Sequence, residues 1–303
     1  MNPAVPTKGI LAALWLPTDE AGDLITADLA WNIAFLRRCG IHGILALGST
    51  GEFSQLDIEQ RKRALALVAE LAHPLPVIAN ISDIRPRAVA DLGRFARQLG
   101  LPAISIMTPG FYPSSQDDVL AHFLHAAESS GLPTFLYNFP ELTGTRIDLD
   151  TVRAFADRAP MAGIKHSGLE FAYNRDLVRL GLEKNFVVFS GNDTRLPELF
   201  EVGVAGCIGG TRPTAIASVS RVYKGRHTQK HARKIRCNQS CPYTAIPIAI
   251  AAAASVTQVS FQPSIPFRPF ATSTESATLK PTKVNRVPIS TTTTPRYPNC
   301  ARD

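Results

Sequence analysis

The stretch that decides the fold reads AISIM at residues 103–107, an amphipathic segment at 117–127, and TFLY at residues 134–137. Apolar side chains in the middle segment recur at the spacing of one helix face: Val119, Leu120, Phe123, Leu124 and Ala127. The flanking runs are short and apolar without alternation, as in parallel strands that are covered on both faces. The stretch therefore predicts a strand, a helix and a second, parallel strand.

The same unit recurs along residues 1–224. Its apolar runs are Ile10–Leu16, Ile44–Gly48, Pro76–Ile81, Ala103–Met107, Thr134–Tyr137, Met161–Lys165, Phe186–Phe189 and Gly206–Ile208. Helical patterns separate them, for example after Ala27 and over Asp57–Ala72. Eight runs that begin about 20 to 35 residues apart predict an α/β fold, the (β/α)8 TIM barrel. A doubly wound sheet is disfavoured, because no Gly-rich phosphate loop follows the first run.

The net positive charge of the chain, +7, comes from its last quarter. Residues 1–224 hold 21 Lys and Arg against 23 Asp and Glu, a net charge of −2. Residues 225–303 hold 11 against 2, a net charge of +9, and they are rich in Pro, Ser and Thr. We therefore predict two parts: a barrel over 1–224, for which no nucleic-acid partner is expected, and an atypical basic segment over 225–303.

Neither a membrane protein nor a secreted protein is expected. The most apolar run, Ala245–Val256, has about a dozen residues and contains Pro247, whereas a membrane span needs about 20. The first residues, MNPAVP, carry no basic and then apolar leader. We expect a cytoplasmic protein.

Chemistry in a parallel barrel belongs at the carboxyl ends of the strands. The polar residues at those ends are Ser49, Thr50, Tyr112, Tyr137, Asn138, Lys165, His166, Asn192, Asp193 and Thr211. Lys165 is the most informative, because burial at a strand end favours a neutral amine that can attack a carbonyl. A lysine that reaches solvent or pairs with a carboxylate is the alternative. His166 is expected to face away from the barrel interior, since neighbours in a strand alternate faces.

Tyr137 and the turn Gly48–Glu52 could act together with Lys165. Tyr137 also ends an apolar run, and a phenol next to an amine can relay protons, although a core tyrosine would have the same position. The turn Gly48–Glu52 offers backbone N–H groups and two hydroxyls to an anionic group such as a carboxylate. Turns of this composition are common, so each feature is weak alone.

Several segments together resemble the dihydrodipicolinate synthase and N-acetylneuraminate lyase family of pyruvate-dependent class I aldolases. They are Gly48–Glu52, Tyr137–Pro140 followed by Thr143-Gly144, Gly163–Lys165 and Ser190–Asp193. Their order and spacing match the family over about residues 8–214. The resemblance implies a lyase or aldolase that makes or cleaves an aldol carbon–carbon bond, and a homo-oligomer, either a tetramer or a dimer.

The resemblance also implies roles for individual residues. Lys165 would form the imine with the ketone of pyruvate or another 2-oxo acid, and Tyr137 would move protons. Ser49 and Thr50 would hold the carboxylate, and the Thr50 hydroxyl would link to Tyr137. Further substrate-binding positions are Gly48, Asp193 and Ile208. Neither a metal nor a cofactor is required.

The aldehyde substrate stays open. The synthases carry an Arg two residues after the Pro of the Tyr-Asn-x-Pro run, whereas Pro140 is followed by Glu141 and Leu142. Loss of that cation disfavours aspartate semialdehyde, because a bidentate carboxylate contact is missing. Phe111 stands where a relay tyrosine is expected, which also favours sugar acids or other 2-oxo acids. Against that branch, Asp193 is followed by Thr194 rather than by an acidic residue.

Three interpretations of residues 225–303 compete. One is a basic extension that touches nucleic acid or anionic surfaces, and another is a metal site of His227, His231, Cys237 and Cys241. We favour the third, a shifted reading frame near residues 224–240 that replaces the usual terminal helices. Such a chain is expected to fold poorly or aggregate, since strands 8 and 1 would be partly uncovered. The alternative function is therefore a catalytically impaired barrel, either truncated or a binding or regulatory protein, with a basic tail.

Overall fold

A computed structural model describes residues 3–20, 22–192 and 195–210. In this part of the chain, eight parallel strands close into a barrel, with β8 paired to β1. The strands are β1 (Gly9–Ala13), β2 (Gly43–Ala46), β3 (Val77–Asn80), β4 (Ala103–Met107), β5 (Thr134–Asn138), β6 (Met161–His166), β7 (Val187–Ser190) and β8 (Gly206–Gly209). The predicted (β/α)8 barrel is confirmed, and every predicted apolar run overlaps one strand.

Helices connect consecutive strands. They are α1 (Thr26–Arg38), α2 (Ile58–Ala72), α3 (Pro86–Gln98), α4 (Gln116–Ser130), α5 (Pro140–Thr143), α6 (Leu149–Arg158), α7 (Phe171–Lys184) and α8 (Leu196–Val202). The helix predicted at Asp57–Ala72 begins where the sequence indicates, because Asp57 and Gln60 form a reciprocal capping box. A Gly at position 131, in the left-handed conformation, ends α4.

The core has two layers that follow from the alternation of side chains along each strand. The inner layer fills the barrel with Leu11, Ala13, Leu45, Ile78, Ala103, Phe135, Phe189 and Ile208. The outer layer joins strands to helices, and in β5 and β6 it includes Leu136 and Ile164. Tyr137 and Lys165 therefore share the inner face, whereas Asn138 and His166 share the outer face.

The first apolar run is longer than its strand. β1 ends at Ala13, although the run was predicted to continue to Leu16. Leu14 and Leu16 stay buried, and the Leu14 amide donates to the Leu45 carbonyl at 3.0 Å. Burial alone therefore explains the apolar composition beyond the strand, since core loops need the same side chains.

Several expectations lie outside the described residues. These are Asp193, Thr211, and all three interpretations of residues 225–303. The boundary between 224 and 225 stays a prediction. Among the described helices, none is both long enough and apolar enough to cross a membrane.

Closure of the barrel between β8 and β1 depends on a glycine. A Cβ on Gly206 would collide with the carbonyl oxygen of Gly9, so the two backbones approach too closely for a side chain. We expect Gly206→Ala to lower the free energy of unfolding by about 1 to 3 kcal/mol through overpacking. Urea denaturation of the full chain measures the change.

Gly110→Ala is the matched control, because a Cβ there has no atom within 4 Å. Its denaturation midpoint should stay close to that of the original chain. Equal midpoints for the two variants would show that closure tolerates a side chain at Gly206.

Candidate active site

The inner face of the barrel carries an amine and a phenol at the carboxyl ends of β5 and β6. Tyr137 and Lys165 are direct register partners, and both are buried. Lys165 Nζ lies 4.0 Å from the centroid of the Tyr137 ring. Phe135 and Phe189 lie on the same face deeper in the barrel, so the amine stands above an apolar interior. The structure thus brings together the two residues to which the sequence assigned the chemistry.

Gly191, directly after β7, leaves the space that these side chains occupy. A Cβ at this position would lie 3.0 Å from Lys165 Cε and would collide with Ser167 Oγ. The sequence motif at 190–193 contains this glycine, but only the structure reveals its contacts. Gly191 therefore allows Lys165 and Ser167 to share one side of the barrel mouth.

The hydroxyl beside Tyr137 comes from the turn after β2. Ser49 Oγ lies 3.0 Å from Tyr137 Oη, within hydrogen-bond distance. Ser49–Gly51 form one 3-10 turn, which is flanked by Leu47 at φ 58° and Glu52 at φ 48°. Residues with side chains adopt this left-handed region at a cost in energy, and such conformations concentrate at functional sites.

The Thr50 hydroxyl does not make the link to Tyr137 that the resemblance implied. Its Oγ1 lies against Gly210, where a Cβ would collide with it. Among the described contacts of the Tyr137 hydroxyl from this turn, the partner is Ser49. Successive residues of a 3-10 turn point about 120° apart, so only one of the two hydroxyls can face Tyr137. The expected link from Thr50 is therefore replaced by one from Ser49.

The turn is held from the outside by a buried amide that the sequence analysis missed. Asn80, at the end of β3, donates from Nδ2 to the Leu47 carbonyl at 2.7 Å. Its Oδ1 accepts from Ser82 Oγ at 2.7 Å, and Ser82 Oγ accepts from the Met107 amide at 2.8 Å. A polar residue ending an apolar strand was the available signal. This chain of bonds fixes the ends of β2, β3 and β4 relative to one another.

The surroundings of Tyr137 make its hydroxyl more acidic than an ordinary phenol. Burial alone would raise the pKa of Tyr137, but the positive charge of Lys165 and hydrogen bonds from Lys165, Ser49 and Ser167 lower it further than burial raises it. The net effect is a lowered pKa. A phenol of this kind gives up and regains a proton more readily near neutral pH.

Ser167 is a second residue that sequence reasoning missed. It follows Lys165 by two positions, and its hydroxyl is close enough to the Tyr137 phenol to contribute to the lowering of its pKa. A hydroxyl two residues after a lysine at a strand end lies on the same face, which is the signal that was available. With Ser49, it gives the phenol two hydroxyl neighbours.

The other predicted positions lie at different depths. Gly48 precedes the turn, and a Cβ on it would lie 3.3 Å from Leu45. Ile208 is buried in the inner apolar layer.

Asp193 lies outside the described residues. Phe111 and Tyr112 are largely exposed and contact each other, with ring centroids 4.7 Å apart. Over the described ranges, no three His, Cys, Asp or Glu side chains are placed to share a metal ion.

A cavity of about 450 Å³ opens at the same end of the barrel. Leu142, which follows the Tyr-Asn-x-Pro run, lines it, whereas the Glu141 carboxylate is turned to the Leu169 amide at 2.8 Å. Arg61 also lines the cavity, but its guanidinium bonds to Asp83 at 3.2 Å and to the Ser82 carbonyl at 3.0 Å. Burial lowers the pKa of Arg61 to about 10. Leu142 therefore adds apolar surface to this cavity, with no charge of its own.

Known proteins share both the sequence pattern and the fold. The 4-hydroxy-tetrahydrodipicolinate synthase of Methanothrix thermoacetophila is 28% identical over 201 residues, which cover 66% of this chain and 68% of the relative. The synthase of Pseudomonas putida is 30% identical over 208 residues, covering 68% and 71%.

Two solved structures are similar to this chain in both fold and sequence. YagE, a prophage protein of the dihydrodipicolinic acid synthase family from E. coli K12 in complex with pyruvate, has a TM-score of 0.71 and 28% identity, and the match covers 74% of this chain and 77% of YagE. The 2-keto 3-deoxygluconate aldolase from Picrophilus torridus has a TM-score of 0.69 and 25% identity, with coverage of 75% and 80%.

The sequence model of the dihydrodipicolinate synthetase family matches residues 6–279. This match is longer than the motif resemblance over 8–214, and it enters the basic segment. The chain belongs to the dihydrodipicolinate synthetase family, whose members are class I aldolases and lyases that act through a Schiff base.

Proposed function

We propose that Lys165 forms a Schiff base with the ketone of pyruvate or another 2-oxo acid, and that the enzyme makes or cleaves an aldol bond. The observation that carries this proposal is the buried Lys165 Nζ, 4.0 Å from the centroid of the Tyr137 ring at the carboxyl end of the barrel. A lysine that pairs with a carboxylate would need an acidic neighbour, and none of the ion pairs among the described residues involves Lys165.

The chemical steps balance without a redox reagent. Lys165 first gives up its ammonium proton, and its amine then adds to the keto carbon. The hydroxyl of the resulting carbinolamine takes a proton from Tyr137 and leaves as water, which gives a protonated imine. Loss of a proton from the neighbouring carbon gives an enamine, with the imine nitrogen as the electron sink. The enamine carbon attacks an aldehyde and forms the new carbon–carbon bond, and water finally releases the product from Lys165. The reverse sequence cleaves the same bond.

Tyr137 suits the proton transfers of these steps. Its lowered pKa and its contact with Ser49 support exchange of a proton with the carbinolamine hydroxyl. Ser49 and Thr50 lie in the turn that we propose holds the substrate carboxylate, with Gly48 before them. Ser167 lies near both Tyr137 and Gly191. Its hydroxyl can donate a hydrogen bond to the second substrate or accept one from it.

The second substrate is proposed to be an aldehyde without a carboxylate beside Leu142. An apolar side chain at this position, with Glu141 engaged by the Leu169 amide, offers no cation to such a group. The name of the Picrophilus torridus relative, a 2-keto 3-deoxygluconate aldolase, agrees with this preference. The homo-oligomer and the cytoplasmic location stay predictions.

Reductive trapping tests the proposal directly. Incubation of the full chain with pyruvate and cyanoborohydride should add a lactyl-sized mass to the peptide that contains Lys165. Lys165→Arg should abolish the adduct, because a guanidinium does not form this imine. Lys184→Arg is the control, since Lys184 pairs with Asp157 on the surface. A folded chain that takes no adduct would instead support the impaired barrel.

Titration of the tyrosines tests the coupling of the two groups. The phenol of Tyr137 should ionise before an ordinary tyrosine as the pH rises, because its pKa is lowered. In Lys165→Met the charge and one hydrogen bond disappear while burial remains, so the pKa of Tyr137 should rise. Ultraviolet difference spectra follow tyrosinate, and Tyr137→Phe identifies the transition. A transition that Lys165→Met leaves in place would contradict the coupling.

Substitution of Gly191 tests the space that Lys165 occupies. Gly191→Ala should slow trapping by pyruvate at least about tenfold, because the new methyl group displaces Ser167 and the Lys165 stem. Gly110→Ala, in open space, is the control and should trap at the original rate. An unchanged trapping rate in a folded Gly191→Ala chain would show that the Lys165 side chain does not need the space beside Gly191.

A further inference from the structure

The residues that follow Tyr137 and Lys165 form a second pair on the opposite face of the sheet. Asn138 and His166 are register partners, and each is almost fully buried. Asn138 Nδ2 lies 3.0 Å from His166 Nδ1. The inner pair and the outer pair therefore occupy consecutive rungs of the same two strands.

The hydrogen-bonding of Asn138 defines which way this bond runs. Its Oδ1 accepts from the Ile147 amide at 3.1 Å, so its amide nitrogen faces the histidine and must donate. His166 Nδ1 is then the acceptor, and it carries no proton. Rotation of the amide would place its nitrogen against the Ile147 N–H, which prevents Asn138 from simply turning over.

His166 is also held tightly in place. Its ring contacts the Tyr173 ring of α7, with centroids 5.0 Å apart. A Cβ on Gly168 would lie 2.5 Å from His166 Cε1, so a glycine leaves room for the imidazole. The Tyr173 hydroxyl donates to the Ile147 carbonyl, which joins the same segment that Asn138 holds.

The backbone of this outer pair reaches the inner site. The Ser167 amide donates to the Asn138 carbonyl at 2.9 Å, and the Gly191 amide donates to the His166 carbonyl at 2.8 Å. Both Ser167 and Gly191 contact the active-site side chains. A shift of the outer pair would therefore move the residues that surround Lys165.

We propose that Asn138 and His166 are positioning residues, whose hydrogen bond holds Lys165 over Tyr137 only while His166 is neutral. This inference rests on the proposed function, since it concerns the alignment of the imine-forming lysine. Protonation of Nδ1 would set an N–H against the Asn138 amide and break the bond. The reaction would then slow in acid through a residue that touches no reacting atom.

The charged groups around His166 agree with a neutral ring at physiological pH. Burial lowers the pKa of His166, and the charge of Arg146 acts in the same direction. The Glu170 backbone and the carboxylates of Glu141 and Glu170 act against this lowering without reversing it. Tyr173, whose ring contacts His166, is also titratable, but burial raises its pKa, so it stays neutral.

Three variants of the full chain separate positioning from general structure. Asn places its side-chain oxygen close to where Nδ1 lies and does not protonate, so His166→Asn should keep the bond. His166→Ala removes it. His125→Asn is the control, because His125 is a half-exposed residue of α4 that bonds to the Pro86 carbonyl.

The readout is the initial rate of pyruvate trapping at Lys165 by cyanoborohydride, between about pH 5 and about pH 8. At the upper pH, His166→Ala should be about tenfold slower than the original chain, as expected for loss of one buried hydrogen bond, and the two rates should converge as the pH falls. His166→Asn should stay within about twofold of the original chain at the upper pH. The trapping rate of His166→Asn divided by that of the original chain at the same pH should rise by up to about tenfold as the pH falls.

The outcomes distinguish the two proposals. If the original chain takes no adduct at Lys165 at any pH, the proposed function fails. If it is labelled but the ratio for His166→Asn stays flat with pH, the positioning role of His166 is overturned. A folded His166→Ala chain that traps at the original rate would overturn it as well. A ratio for His125→Asn that rises in parallel would mean that the effect is not specific to His166.

Discussion

The parallel register between β5 and β6 sets Tyr137 beside Lys165 and Asn138 beside His166. In a strand, consecutive side chains point to opposite faces, so one register produces two different environments. The inner pair meets the mouth of the barrel, and the outer pair lies between the sheet and α7. A slip by one residue would exchange them and place the lysine among the helices. The site therefore depends on a backbone alignment before it depends on any side-chain contact.

Glycines supply the space that this alignment requires. Gly191 gives Lys165 and Ser167 a common side of the mouth, Gly168 accommodates the His166 ring, and Gly206 lets β8 approach β1. At each of these positions, a side chain in place of glycine would collide with a backbone atom or with a neighbouring side chain. Both the closure of the barrel and the space in the site therefore depend on glycines, which have no side chain where strands and loops come close.

The electrostatics of the site follow from the same geometry. Tyr137 is buried, which alone would raise the pKa of its hydroxyl, yet the charge of Lys165 and the polar groups of Lys165, Ser49 and Ser167 lower this pKa. His166 is also buried, but its charged neighbours are of both signs, so burial dominates and lowers its pKa. Two buried groups on adjacent rungs of the sheet are therefore shifted by different causes.

The sequence by itself determined the barrel and its eight strands, and it predicted that Lys165 and Tyr137 carry the chemistry. These depend on local periodicity and on residue type at strand ends, which are readable along one chain. Only the tertiary structure decided that Ser49 rather than Thr50 faces Tyr137, and that Ser167 and Gly191 complete the site. Such contacts join residues far apart in the chain, and the direction of a hydroxyl in a tight turn depends on backbone angles that composition does not specify.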